Sequence, residues 1–357
     1  MGESADKPRI RLALSPQAEK YARRDAPVGV RRMAARGALP LEPIELATVL
    51  FALAHDPDAE VKDTARKSLD ALPETVLRAV VGGPAHPAIL SHLARVHREN
   101  EPVCQALALN PATDDATVAF LATLPIRSVV EIVSNNQERM LRNEDIVEAL
   151  GENPLTGRSV IDRILKFLGV AESEEADDEF ERADLSPEAT EKALLAMLGS
   201  DATEVAKLLA SEDDLADEEM QGNLFAAIQN MSIMQKIKLA RVGGKEARSL
   251  LIKDRNKVVA TSVLASPKIT ETEVVSISQS RAVSDEILRL IAVNKEWTRG
   301  YAVKLALATN PKTPQPQAIK FVNYLQDRDL RNLMKSKDVP SVISTHARRL
   351  LTKKGKL

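Results

Sequence analysis

Aromatic residues are scarce in this chain: one Trp, three Tyr and six Phe make up 3% of its 357 residues. Sandwiches and barrels draw on aromatic and β-branched strands separated by frequent glycine turns, so an all-β class is disfavoured. Cysteine is nearly absent. Cys104 alone rules out a disulfide framework and any Cys-based zinc cage. No apolar run approaches 18 residues, and the longest, around Val49 to Ala54, is core-sized, so the chain reads as soluble with no membrane contact. The opening residues Met1 to Asp6 carry neither a signal peptide nor a lipidation motif.

Chemical motifs are equally thin. The pairs Gly82-Gly83 and Gly243-Gly244 lack the spacing of a nucleotide fingerprint and no strand pattern precedes them, so they read as helix stops. Of the five histidines, His55, His86, His92, His97 and His346, only His92 and His97 are close in sequence. Five residues apart, they fall on different sides of a helix, without a carboxylate to complete a metal shell. Cys104 sits on the apolar side of VCQALAL and reads as a small core residue, not a nucleophile. The acidic run ESEEADDEFER at 172–182 lacks the Asp-x-Asp-x-Asp-Gly pattern of a calcium loop. No enzyme activity, cofactor or metal is expected from these residues.

What the chain does have is self-similarity. Residues 103–113 align with 259–269, and NPLTGRSVIDRILKFL at 153–168 aligns with NPKTPQPQAIKFVNYL at 310–325. Segments 72–168 and 232–325 thus read as two copies of one unit. Within each copy Asn-Pro or Ser-Pro recurs at Asn110-Pro111, Asn153-Pro154, Ser266-Pro267 and Asn310-Pro311. Proline pushes the preceding residue out of the helical region, so each dipeptide is expected to end a helix. The next helix is expected to be capped by Thr113, Thr156, Thr270 (in a capping box with Glu273) and Thr313, the last with Pro314 in its first turn. Apolar residues then step by three and four: Ile161, Ile164, Leu165 and Leu168 in one copy, Ala318, Phe321, Val322 and Leu325 in the other.

Upstream, DPDAEVKDTARKSL at 56–69 resembles the second helix of a HEAT-like repeat, with Val61, Ala65 and Leu69 on the buried stripe. The Asn-Pro-x-Thr beats are similar to the short helices of leucine-rich-repeat variant proteins, and residues 230–350 resemble uncharacterised bacterial helical-repeat proteins. These resemblances imply a fold and no activity. The expected class is all-α: an α-solenoid of short helix pairs in two duplicated lobes joined by an acidic linker. Its divisions are a disordered 1–11, a first lobe at 12–168, the linker at 169–184, a basic lobe at 185–350 and a basic tail at 351–357. Two short helices are expected near 187–198 and 202–210, capped by Ser186 and Asp201.

A net charge of −2 conceals partition: residues 1–169 carry −2, 170–219 carry −15 and 220–357 carry +15. The basic lobe could bind an acidic protein through its surface, and the expected partner residues are Lys295, Trp297, Arg299, Tyr301, Arg328, Arg331, Lys335, Arg348 and Arg349. The alternative is non-specific nucleic-acid binding, since Lys and Arg on a helical array can hold phosphates without reading sequence, with the acidic linker masking the lobe. The sequence points to a non-catalytic interaction scaffold, cytoplasmic and bacterial, with an unidentified partner and unspecified oligomeric state.

Overall fold

The computed structural model describes residues 12–170, 187–198, 203–211 and 218–356. Among them all regular structure is helical, in helices of 6 to 13 residues apart from one single-turn 3₁₀ segment. Helices this short are marginal alone, so packing must hold them. The residues that start them are the ones the backbone requires. Asp58, Asn100, Asp114 and Ser284 each accept a hydrogen bond from a first-turn amide, and Ser232 and Thr270 form complete capping boxes with Gln235 and Glu273. The acidic run 172–182, residues 1–11, Ser186 and Asp201 lie outside the described residues.

Contacts divide the chain into two compact units, residues 1–160 and 161–357. In the first, Pro43–Leu53 packs on Ala59–Asp70 and Glu74–Gly82. Glu74–Gly82 in turn meets Glu101–Leu109, which meets Arg127–Ser134, and Asp115–Thr123 packs closely on Asp145–Glu152. The expected stripe Val61, Ala65 and Leu69 is fully buried. In the second unit, Pro187–Leu198 packs on Thr203–Ala210, close to the expected bounds. Ile233–Val242 packs on Lys257–Leu264, Glu271–Gln279 on Tyr301–Thr309, and Tyr301–Thr309 on Gln315–Val322. Ile161, Ile164 and Leu165 are buried, as are Ala318, Phe321, Val322 and Leu325; Leu168 is only half-buried. The glycine pairs do stop helices: Gly83 and Gly243 are the residues that follow Glu74–Gly82 and Ile233–Val242.

The Asn-Pro dipeptides do more than end helices. Asn110 is buried, and its side-chain amide donates to the carbonyls of Val81 (2.7 Å) and Gly83 (2.8 Å), at the end of helix Glu74–Gly82. Its Oδ1 accepts from the Ala112 amide at 2.8 Å. Asn153 repeats this on Ala122 (2.7 Å) and Leu124 (2.8 Å), and Asn310 repeats it on Ser278 (2.8 Å) and Ser280 (2.9 Å). A carboxamide has two donors and an acceptor, and here all three are used: the donors satisfy carbonyls left open at a neighbouring helix end, and the acceptor holds the residue's own turn. Ser266 has only a hydroxyl. It donates to the Arg241 carbonyl at 2.7 Å, and the carbonyl two residues on, Gly243, is taken by Arg248 Nη1 at 2.7 Å, so a second side chain supplies the missing donor.

The threonine caps need correction at three of four positions. Thr270 caps its helix as expected. Thr113 does not: Asp114 is the cap of Asp115–Thr123, and Thr113 Oγ1 donates back to the Leu107 carbonyl at 2.8 Å. Thr313 is buried one residue before the actual cap, Pro314, and Thr156 is buried two residues before Arg158 opens its helix. Each of the three lies in an Asn-Pro-x-Thr turn that ends before the helix cap, and its hydroxyl is buried.

Buried arginines brace the same joints. Arg139 Nη1 donates to the Thr113 carbonyl at 2.6 Å and to Asp115 at 2.9 Å, and its Nη2 donates to the Asn110 carbonyl at 3.0 Å, closing the turn after Asn110. Arg248 is bidentate to Glu273, with contacts of 2.9 and 3.2 Å, and donates to the Gly243 carbonyl at 2.7 Å. Burial would raise the Glu273 carboxyl, but hydrogen bonds from Arg248 and Thr270 outweigh it and hold the group below its ordinary value. Arg31 pairs with Asp56 differently, through Nη1 alone, which donates to both carboxylate oxygens, while its Nε donates to the Ala26 carbonyl at 3.1 Å.

Two expectations follow. Asn310→Ala strips the Ser278 carbonyl of its donor and should cost about 2–3 kcal/mol in urea unfolding, against less than about 0.5 kcal/mol for exposed Lys337→Ala. Gly244→Ala would set a Cβ 1.8 Å from the Ser211 carbonyl oxygen, so it should lower the melting temperature of the chain by several degrees, read by circular dichroism.

Candidate interaction surface

The last helices of the second unit gather most of the expected partner residues. Gln315–Val322 and Asp327–Lys335 both pack on Ser341–Lys353, whose Ile343, Ala347 and Leu351 supply the buried stripe. Tyr301 opens the helix Tyr301–Thr309. Its hydroxyl donates to the Asp329 carboxylate and accepts from the Gln326 amide at 3.0 Å, which ties this helix to the start of Asp327–Lys335. Burial, then the bond to Asp329, push the phenol above its ordinary pKa. Lys304, one turn on, donates to the Arg299 carbonyl at 3.1 Å and lies 5.5 Å from the centre of the Tyr324 ring.

Carboxylates on these helices are few and occupied. Residues 327–356 contain nine Lys and Arg against three Asp. Asp327 accepts from Lys354 at 3.0 Å and from Lys356, and these hydrogen bonds, the Lys356 bond foremost, bring its carboxyl down to about 2. Asp329 holds Tyr301, and Asp338 pairs with Arg281 at 3.3 Å. Arg331 donates to the Lys356 carbonyl at 3.4 Å, so the chain end is fastened to this helix. Arg328, Lys335, Lys337, Arg348, Arg349 and Lys353 are exposed, and none of them pairs with a carboxylate among the described residues.

Arg328, Arg331 and Lys335 stand at i, i+3 and i+7 of Asp327–Lys335 and share one face. Arg348 and Arg349 lie on the adjoining helix, both exposed. Lys295 and Arg299 are exposed, whereas Trp297 is half-buried in the single 3₁₀ turn Trp297–Arg299, with its amide donating to Asn294 Oδ1 at 3.3 Å. The structure therefore joins Tyr301 to the helix of Arg328, and Arg299 to Tyr324 through Lys304. No hydrogen bond, ion pair or ring contact among the described residues joins Lys295 or Trp297 to Arg348 or Arg349. Lys304 and Tyr324 were not among the expected site residues. The signal for Tyr324 lay in the pattern: it falls off the stripe of Phe321, Val322 and Leu325, and is 60% exposed.

Four of the five histidines have structural partners, whereas His97 Nε2 is buried without one among the described residues and desolvation lowers its pKa. His55 Nδ1 meets the Phe51 carbonyl at 2.9 Å, His92 meets Asp70 at 2.7 Å, His86 caps its helix, and His346 meets Asn323 at 2.9 Å. No group of three His, Cys, Asp or Glu residues able to hold a metal occurs among the described residues. No described helix is long and apolar enough to cross a membrane. Cys104 is fully buried, and desolvation, followed by Glu101, raises its thiol to about 11. No protein-family model, curated protein or solved structure matches the chain.

Cys104 should accordingly react with Ellman's reagent at pH 8 at least about a hundredfold more slowly in the native chain than in urea, since about three pH units separate it from its thiolate. Asp327→Asn should release Lys354 and Lys356 and speed tryptic cleavage after Lys353 and Lys354. Acid should release the same two lysines in the unaltered chain, read by NMR of their side chains: a depressed carboxyl stabilises fully above its unfolded value of about 4, and this anchorage is lost as pH falls through about 2.

Proposed function

We propose that this chain is a non-catalytic scaffold, an α-solenoid of HEAT-like character, that binds an acidic protein partner on the basic helices near its C-terminus. The observation that carries the reading is the occupancy of all three carboxylates of residues 327–356 by internal partners while six cations face outward uncompensated. An acidic partner would gain charge-assisted contacts without displacing an existing ion pair, and the Arg side chains can meet carboxylates through two parallel bonds. The two-lobed plan by internal duplication belongs to the same proposal. Its support is the shared element order of residues 74–167 and 233–322, with Asn110 and Ser266, then Asn153 and Asn310, each reaching back to an earlier helix end.

Anisotropy titrations of the full chain tests the reading. A labelled all-Glu peptide should bind the unaltered chain, and the triple variant Arg328→Glu, Arg331→Glu, Lys335→Glu should bind it at least about tenfold more weakly, with unchanged circular dichroism. A chain that instead prefers duplex or single-stranded DNA of equal charge, with affinity falling steeply as salt rises, would replace the protein partner with nucleic acid.

A further inference from the structure

The same face is not purely ionic. Tyr324 is 60% exposed and Val342 48% exposed, two of the large apolar side chains left open to solvent. They stand on neighbouring segments that are bonded to each other: His346 Nε2 meets Oδ1 of Asn323, the residue before Tyr324, at 2.9 Å. Val342, His346 and Arg349 fall at i, i+4 and i+7 of Ser341–Lys353, so they form one row on that helix, which runs from an apolar residue through the Asn323 contact to an exposed cation. On the other side, Lys304 lies against the Tyr324 ring, and exposed Lys320 precedes Tyr324 by four residues.

From this arrangement we infer that the seam of Tyr324 and Val342 seats an acidic segment of the partner protein that carries apolar side chains between its carboxylates. This rests on the acidic-partner reading above and specifies it. Tyr324 offers a large, amphipathic contact area with few torsions to freeze, and Val342 extends that area with an aliphatic surface. Lys304 lies against Tyr324, Lys320 is four residues before it and Arg349 two turns beyond Val342, and these cations would meet the flanking carboxylates. A nucleic-acid strand fits the seam less well. Sequence-tolerant strand binding uses successive aromatic rings for successive bases. Here Tyr324 is the one exposed aromatic of residues 301–356, and Val342 cannot stack.

The test is titration of the full chain with three labelled probes of equal charge: a Glu-rich peptide interrupted by Leu and Phe, an all-Glu peptide, and an oligothymidylate. The mixed peptide is expected to bind about tenfold more tightly than the all-Glu peptide. The double variant Tyr324→Ser, Val342→Ser, which alters only exposed side chains, should abolish that advantage while leaving the melting temperature unchanged. Equal binding of the two peptides, or an advantage that survives the double variant, would overturn the seam and leave the acidic-partner reading standing. Tightest binding by the oligothymidylate, or no binding by any probe, would overturn both.

Discussion

A buried carboxamide is destabilising unless its two donors and its acceptor all find partners, and the described helices are joined at three Asn-Pro turns that meet that condition. Asn110, Asn153 and Asn310 each bond two carbonyls at the end of an earlier helix and one amide of their own turn. Helices of about ten residues have little intrinsic stability and many open carbonyls at their ends. The asparagines answer both problems, since they satisfy those carbonyls and fix which helix end lies beside which. Apolar stripes press the helices together without choosing a register. The carboxamide chooses it.

The buried guanidinium groups extend the same logic. Arg139 reads the carbonyls of the turn after Asn110, and Arg248 joins the Gly243 carbonyl to the capping-box glutamate of Glu271–Gln279. A buried ion pair contributes little net stability over a well-packed apolar pair, but breaking one leaves a charge stranded. Such groups therefore penalise wrong arrangements more than they reward the right one. With the core so specified, the outer faces are free to vary. On the last helices they have accumulated cations and two open apolar side chains, with the few carboxylates bonded to Tyr301, to exposed Arg281 and to Lys354 and Lys356.

Much of the helical plan was legible in the sequence because it rests on local rules. The stripe at Val61, Ala65 and Leu69, the box of Thr270 with Glu273, the glycine stops at Gly83 and Gly243, and the short helices beyond Pro187 all follow from periodicity and capping. The partners of the asparagines were not legible, because they lie some thirty residues away and depend on tertiary approach. Read locally, Asn before Pro looks only like a helix end, and the threonine that follows looks like a cap. The same limit hid Arg31, Arg139 and Arg248, whose charge argues for the surface although they lie among residues of the apolar stripe. On the candidate surface, composition revealed the excess of cations. It could not reveal that Asp327, Asp329 and Asp338 are spoken for, nor that Lys304 connects Arg299 to Tyr324.

The central claim is that the asparagine joint sets the helices on which the proposed binding surface stands. Hydrogen exchange read by mass spectrometry on Asn310→Ala tests it most directly, with the labelled all-Glu peptide titrated in parallel. Protection should fall together in Glu271–Gln279 and Tyr301–Thr309, while Glu101–Leu109 in the first unit keeps its own, and the peptide should bind more weakly. Unchanged protection in both helices around the substituted joint would show that apolar packing alone holds them, and would contradict the account.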